Sequence, residues 1–182
     1  MGKTISEQQE AKIPEEVEVT IDRKRVVIKG QLGEIKKDFS YTPVLIKKTD
    51  DKVLVEVSWP NKKNAAIVKT VLSRIKNMID GVTKGFTYKL KIVFAHFPIS
   101  VKVQNSKVLI ENFYGERSPR VAKIIGDTKV EVVSEDIIVK GLDIDEVSQT
   151  AANIQQATRI KRYDPRVFLD GIYVYEKEEG AG

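Results

Sequence analysis

Cysteine is absent from this sequence of 182 residues, and His96 is its only histidine. Without cysteine the chain can form no disulfide, no thiolate metal site and no cysteine nucleophile. It contains neither a Gly-x-x-x-x-Gly-Lys-Ser/Thr phosphate loop nor a Gly-x-Gly-x-x-Gly motif. A lone histidine in an apolar stretch is more often structural than catalytic. We therefore expect a protein that is not an enzyme and that uses no metal or cofactor.

Long apolar runs are also missing. The longest run, 92–97, is interrupted by His96 and is far shorter than the roughly 20 residues of a membrane-spanning helix. No apolar core follows Met1-Gly2-Lys3 that would make a signal peptide. Hydrophobic residues make up 41% of the chain and charged residues 31%, which is ordinary globular composition. We expect a soluble, cytoplasmic protein with no membrane partner.

What the sequence does contain is an internal repeat. Adding 82 to four residue numbers of the first half reaches the same residue types in the second half: Val26 and Val108, Ile28 and Ile110, Gly33 and Gly115, Glu34 and Glu116. Two tandem domains of roughly 80 residues fit this length. The predicted division is an N-terminal extension, a first repeat, a second repeat and a C-terminal tail, at 1–13, 14–97, 98–177 and 178–182.

Hydrophobic periodicity predicts the same elements in both repeats. In the first, alternation predicts a hairpin over 17–28 and a strand at 53–57, and three-and-four spacing predicts a helix from an Asn61 cap to Gly81. In the second, we expect five strands and then a helix over 144–157, capped by Asp143 or Asp145; the strands lie near 99–104, 107–112, 121–125, 129–133 and 136–140. The predicted fold class is α+β, with two tandem duplicated domains, each an antiparallel β-sheet packed with one main α-helix.

The end of the chain contains a strong hairpin signal. Asp170-Gly171 separates two apolar runs, 166–169 and 172–175, and Asp-Gly between such runs is typical of a tight turn. The predicted pairing sets Leu169 against Ile172.

Positive charge is in modest excess and unevenly distributed. The net charge is +5, with 17 Lys and Arg against 10 Asp and Glu in 14–97, and 12 against 14 in 98–182. Within the second half, however, 156–168 holds four basic residues against one acidic residue: Arg159, Lys161, Arg162 and Arg166 against Asp164. A local basic patch therefore lies in an otherwise acidic half.

This patch predicts an RNA site in which the four basic residues contact phosphates. The preceding helix would add amides that reach sugars or base edges, from Gln149, Asn153 and Gln156. Equally open is a solvated connection that binds nothing. Additional RNA contacts are predicted at Lys62 and Lys63, which start a helix, and at Arg117 and Arg120, which flank a proline turn. Solvent screening or a plain turn would explain these four residues as well.

Three stretches are distinctive in combination: Gly-Val-Thr-Lys-Gly-Phe at 81–86, Val-Ser-Gln-Thr-Ala-Ala-Asn-Ile at 147–154 and Arg-Val-Phe-Leu-Asp-Gly-Ile-Tyr at 166–173. With the duplication, they resemble the universal large-subunit ribosomal protein six family in its archaeal and eukaryotic form, over roughly 12–177. The resemblance implies a structural protein of the cytoplasmic large ribosomal subunit, without catalysis. It implies binding to large-subunit ribosomal RNA near the sarcin-ricin loop and the translation-factor site, with the RNA contacts on 149–166.

By the same resemblance, neighbouring ribosomal proteins are partners, and translation elongation factors are candidates for further partners. The alternative from the residues alone is a two-domain protein-interaction scaffold whose exposed sheet edges recruit an extended strand. Salt separates the two, because phosphate binding weakens steeply as salt rises whereas strand addition does not.

Overall fold

A computed structural model of the chain describes residues 6–58, 61–160, 164 and 166–180. The chain forms two compact units that divide between Lys84 and Gly85. Within the described residues, each unit contains two antiparallel sheets and one main helix. The α+β class, with one helix in each of two domains, is therefore confirmed. None of the helices in the described part of the chain is long and apolar enough to cross a membrane.

The first unit is built from six strands and a long helix: β1 Ser6–Lys12, β2 Glu18–Asp22, β3 Arg25–Gly30, β4 Gly33–Asp38, β5 Leu45–Thr49, β6 Lys52–Ser58 and α1 Lys62–Thr83. The sheet orders are β2-β3-β4 and β1-β6-β5. The predicted hairpin is confirmed, because β2 and β3 pair with Ile21 opposite Val26. Apolar side chains that alternate along these strands are buried in the core, as expected for strands with one apolar face.

Helix α1 begins as predicted and ends later. The Asn61 side chain accepts a hydrogen bond from the backbone N–H of Asn64 at 2.8 Å, which is the N-cap interaction expected of asparagine. The prediction that Gly81 ends the helix is wrong, since Gly81 is buried inside α1. The helix continues to Thr83, and the N–H of Lys84 donates to the carbonyl of Asp80 at 2.7 Å.

The second unit contains seven strands, a short 3-10 turn and a helix: β7 Phe86–Val93, β8 Ser100–Gln104, β9 Lys107–Glu111, the turn Phe113–Gly115, β10 Arg120–Lys123, β11 Lys129–Val133, β12 Asp136–Gly141, α2 Ile144–Ala157 and β13 Gly171–Glu179. The sheet orders are β8-β9-β10 and β11-β12-β7-β13. Helix α2 matches its predicted bounds, and Asp143 is its N-cap. Its apolar stripe packs into a fully buried core with Leu90, Ile137 and Ile172.

The structural units begin at different residues from the predicted repeats. Strand β7, which the sequence places in the first repeat, pairs with β12 and β13 of the second unit. Strand β1, which lies in the predicted N-terminal extension, pairs with β6 from Ser6–Ser58 to Lys12–Lys52 and so belongs to the first unit. Strand β13 also reaches Glu179, inside the predicted tail. Sheet pairing, which a repeat in the sequence does not record, places these boundaries.

The predicted hairpin over 166–175 is wrong. Strand β13 begins at Gly171 and pairs with β7, so that Ile172 lies opposite Ile92 rather than opposite Leu169. A type I′ turn needs positive φ at both central residues, and Gly171 is not among the residues with positive φ. The carboxylate of Asp170 binds the chain just after β7 instead, which directs the following residues along that strand.

Candidate nucleic-acid interface

The exposed edge of α2 presents a line of side-chain amides. The Gln149 Nε2 donates to Asn153 Oδ1 at 2.9 Å, one helical turn away. The Asn153 Nδ2 donates in turn to the carbonyl of Lys123 at 3.0 Å, which ties the helix to β10. Gln149 is exposed and Asn153 is half-buried. The two predicted amides therefore form one hydrogen-bonded pair.

A cavity of about 480 Å³ opens at the C-terminal end of α2. Exposed Gln156 and Arg159 line it together with the aromatic rings of Phe168 and Tyr173. Guanidinium groups bind phosphates, amides bind base edges, and aromatic faces stack on unpaired bases. The structure thus brings two predicted site residues together with two aromatic rings at one end of the helix.

Arg120 holds the backbone where α2 ends. Its Nε and Nη2 donate to the two carboxylate oxygens of Glu116 at 2.8 and 2.6 Å. Its Nη1 donates to the carbonyls of Ala157 at 2.9 Å and Arg159 at 3.3 Å. The hydrogen bonds from Arg120 lower the pKa of Glu116. All three guanidinium nitrogens are therefore engaged within the protein, and an RNA contact at Arg120 would compete with these bonds.

Asp170 anchors the chain just before β13. It is 3% exposed, and its Oδ2 accepts from the backbone N–H groups of Ala95 at 3.0 Å and His96 at 3.1 Å. The His96 Nδ1 lies 2.9 Å from Oδ1. Burial alone would raise the pKa of Asp170, but the hydrogen bonds from His96 and Ala95 outweigh it and lower that pKa.

The ring of His96 also supports the segment before Asp170. It stacks on Phe168 with the ring centroids 5.1 Å apart. Asp164 shapes the same segment, since its Oδ1 accepts from the N–H of Arg166 at 2.9 Å and its carbonyl accepts from the N–H of Phe168 at 3.0 Å. Exposed Arg166 therefore lies within a turn that hydrogen bonds to Asp164 hold in place.

Five predicted RNA contacts remain. Lys161 and Arg162 lie outside the described residues. Exposed Lys62 and Lys63 occupy the first turn of α1 and belong to the first unit. Arg117 is exposed in the loop before β10. As RNA contacts, these five residues stay predictions, and Lys62 and Lys63 belong to a different unit from the cavity at the end of α2.

Several residues that support this site through contacts within the protein were not predicted from the sequence. Glu116 aligns with Glu34 in the repeat, but this alignment does not indicate that Glu116 binds Arg120 or that Arg120 binds the end of α2. His96 and Asp170 are 74 residues apart, so no local spacing indicates their contact. Neither contact was therefore indicated by the sequence, because a spacing of four marks a side-chain pair only within a helix and Pro119 interrupts the stretch between Glu116 and Arg120.

Comparison with known proteins agrees with the duplication. A family model described as ribosomal protein L6 matches residues 13–85 and again 97–171. The large ribosomal subunit protein uL6 of Methanosphaera stadtmanae is 54% identical over 168 residues, covering 92% of this chain and 91% of that protein. That of Ignicoccus hospitalis is 50% identical over 171 residues, covering 91% and 92%. That of Desulfurococcus amylolyticus is 49% identical over 182 residues, covering 98% and 99%.

Proposed function

The chain belongs to the ribosomal protein L6 family, and from that premise we propose that it is a structural constituent of the large ribosomal subunit. Its relatives are ribosomal proteins rather than enzymes, which agrees with the prediction that it has no catalytic role. Within the cytoplasmic ribosome it would bind large-subunit ribosomal RNA and neighbouring ribosomal proteins.

The RNA-binding surface that we propose lies at the C-terminal end of α2 and along 159–166. One observation carries this assignment: exposed Gln156 and Arg159 meet two aromatic rings at the same cavity. Screening limits the reach of charge to roughly 10 Å at ordinary salt, so local placement outweighs the charge sum of the unit. Side chains at this end of the helix would therefore contact phosphates and bases directly.

We also propose that the RNA bound here is the region near the sarcin-ricin loop, beside the translation-factor site. This finer assignment rests on the family resemblance, and it makes elongation factors candidate neighbours. Crosslinking in native cells tests it, with the expectation that peptides from 149–166 carry fragments of that RNA. Adducts confined to other regions of the ribosomal RNA would contradict it.

Charge removal tests the binding surface. The change is Arg159→Gln, Lys161→Gln and Arg162→Gln together, with a transcribed ribosomal RNA fragment containing the sarcin-ricin loop as the probe. We expect weaker binding and a shallower dependence on salt, by about 0.7 to 0.9 in logarithmic slope per lost phosphate contact. Binding is measured by fluorescence anisotropy between about 50 and 200 mM salt.

A matched variant in the same unit controls for net charge. Lys102→Gln, Lys107→Gln and Lys129→Gln remove three positive charges from exposed positions of β8, β9 and β11. This control should keep nearly all of its affinity. Equal loss in both variants would show that binding follows net charge rather than the proposed surface. Failure of the unsubstituted protein to bind the probe would overturn the assignment of this region of the ribosomal RNA.

A further inference from the structure

We propose that two carboxylates, Glu116 and Asp170, are positioning residues for RNA binding: through Arg120 and His96 they fix the backbone on either side of the basic stretch. This inference rests on the proposed function and adds residues that touch no RNA. This role is the opposite of what simple electrostatics predicts, because two negatively charged side chains would promote the binding of a polyanion.

The first anchor satisfies the end of α2. A helix leaves its last carbonyl groups without partners inside the helix, and a positive charge there interacts favourably with the helix dipole. Helix α2 has no basic residue in its own last turn. Arg120 supplies the charge from outside, with Nη1 donating to the carbonyls of Ala157 and Arg159. The backbone of Arg159 is thereby held where the helix stops.

Glu116 orients the guanidinium that makes this contact. The two parallel hydrogen bonds from Nε and Nη2 fix the plane of the fork, and such bidentate geometry is available to arginine but not to lysine. The Arg120 Cζ also lies 4.2 Å from the centroid of the Phe113 ring, a cation–π contact. Glu116 and Phe113 together fix the plane of the guanidinium group, and Nη1 therefore points toward the end of α2.

The second anchor fixes where the chain returns. Asp170 accepts three hydrogen bonds from Ala95 and His96, and the His96 ring stacks on Phe168. The N–H of Ile172 donates to the Thr158 Oγ1 at 3.0 Å. The residue after α2 and the start of β13 are thus joined directly, and Arg166 lies within the turn that ends at Phe168.

The sign of a substitution separates this role from an electrostatic one. If Glu116 and Asp170 act only through charge, neutralising either one leaves RNA binding unchanged or makes it tighter. If they position the site, neutralising either one weakens RNA binding although the protein has become more positive. Ordering of the site before binding favours affinity, because less conformational freedom is then lost on binding.

The test uses the full chain with Glu116→Gln and, separately, Asp170→Asn, against the same ribosomal RNA fragment. We expect each to bind about five- to tenfold more weakly, a loss similar to that of about one ordinary hydrogen bond. Glu111→Gln is the matched control, since Glu111 pairs with Lys102 at 2.7 Å on β9 of the same unit. The control should bind as the unsubstituted protein does, or slightly more tightly.

Arg120→Lys provides a second measurement. It keeps the positive charge but cannot form the fork, so the positioning role predicts a loss similar to that of Glu116→Gln. A simple phosphate contact would survive this change almost fully. Circular dichroism melting gives the folded fraction of every variant, and affinity is expressed per folded molecule, so a destabilised variant still reports on binding.

The outcomes separate this proposal from the proposed function. Unchanged or tighter binding by both carboxylate variants, with the Arg159, Lys161 and Arg162 variant weakened, overturns the positioning role and leaves the RNA surface standing. Unchanged binding in all of these variants overturns the surface as well. Weakening in Glu111→Gln equal to that in Glu116→Gln would also overturn the positioning role, since the loss would not depend on the anchors.

Discussion

The two units differ most where their helices end. Helix α1 ends at Thr83, and β7 begins almost at once, at Phe86. Helix α2 ends at Ala157, and β13 begins only at Gly171, so a long segment follows the helix in the second unit alone. The predicted basic site lies on that segment. The duplication therefore accounts for both cores, whereas the candidate binding surface lies on the longer connection between α2 and β13.

Net charge ranks the units in the opposite order. The first unit, 1–84, holds 17 Lys and Arg against 12 Asp and Glu, and the second, 85–182, holds 14 of each. The second unit brings basic side chains, amides and aromatic rings together at the end of α2. Its acidic residues Glu116 and Asp170 accept hydrogen bonds that hold the backbone there. On the proposed assignment, RNA binding depends on the local arrangement of side chains, whereas net charge sets only a weak and screened background.

The largest effects should come from the two cores. Ile75 on α1 and Ile154 on α2 occupy corresponding stripe positions, and both are fully buried. Substitution of either by alanine should destabilise its own unit by about 2 to 5 kcal/mol, because it removes packed side-chain volume and leaves a cavity. Urea unfolding measures the loss, and RNA titration should show that Ile154→Ala binds poorly whereas Ile75→Ala binds nearly normally. Loss of RNA binding by Ile75→Ala while the second unit is still folded would contradict the assignment of RNA binding to the second unit.

A smaller pair of effects is expected at two glycines that allow close approach to a helix. A Cβ on Gly30 would lie 2.7 Å from both the side chain and the carbonyl oxygen of Val82. A Cβ on Gly141 would lie 2.8 Å from a methyl group of Val147. Each alanine substitution should cost about 1 to 3 kcal/mol through overpacking, with the greater loss at Gly30, where backbone must move. Thermal melting ranks the two variants, and a greater loss at Gly141 would contradict this reasoning.

The smallest effect should appear on acidification and should distinguish the second unit. The pKa of Asp170 in the folded protein is lowered from its usual value of 3.8, so the folded protein releases this proton more readily than the unfolded chain. Its stabilising contribution is present above that value and disappears as pH falls through the folded-state pKa. Melting temperatures near neutral and acidic pH measure the change. Asp170→Asn should melt lower than the unsubstituted protein at neutral pH, and the difference should narrow in acid. A constant difference would contradict the assignment.

Sequence reasoning succeeded where structure is local. The cap at Asn61, the cap at Asp143 and the bounds of α2 were all predictable, because capping and helical periodicity involve residues within a few positions of one another. The Asp170-Gly171 signal failed for the opposite reason. This signal describes a turn that two adjacent apolar runs could form. In the structure, the side chain of Asp170 instead binds backbone groups far away in the chain, and β13 pairs with β7.

The candidate site was predictable only in part. Exposed Arg159 and Gln156 lie where the pattern of charge and amides placed them. Arg120 was predicted as an RNA contact, whereas its donors hold the carbonyls of Ala157 and Arg159. Neither the charge of an arginine nor its position beside a proline indicates which carbonyls will lie within its reach.

The duplication, the α+β class, most strands, both helices and the family could be predicted from the sequence alone, since these depend on local periodicity and on residues that recur in order. The partner strand of β13, the end of the first unit and the anchoring of the segment after α2 by Glu116 and Asp170 became visible only in the folded chain. These features depend on contacts between segments far apart in the chain, and a periodic pattern records which face of a segment is buried without recording what buries it.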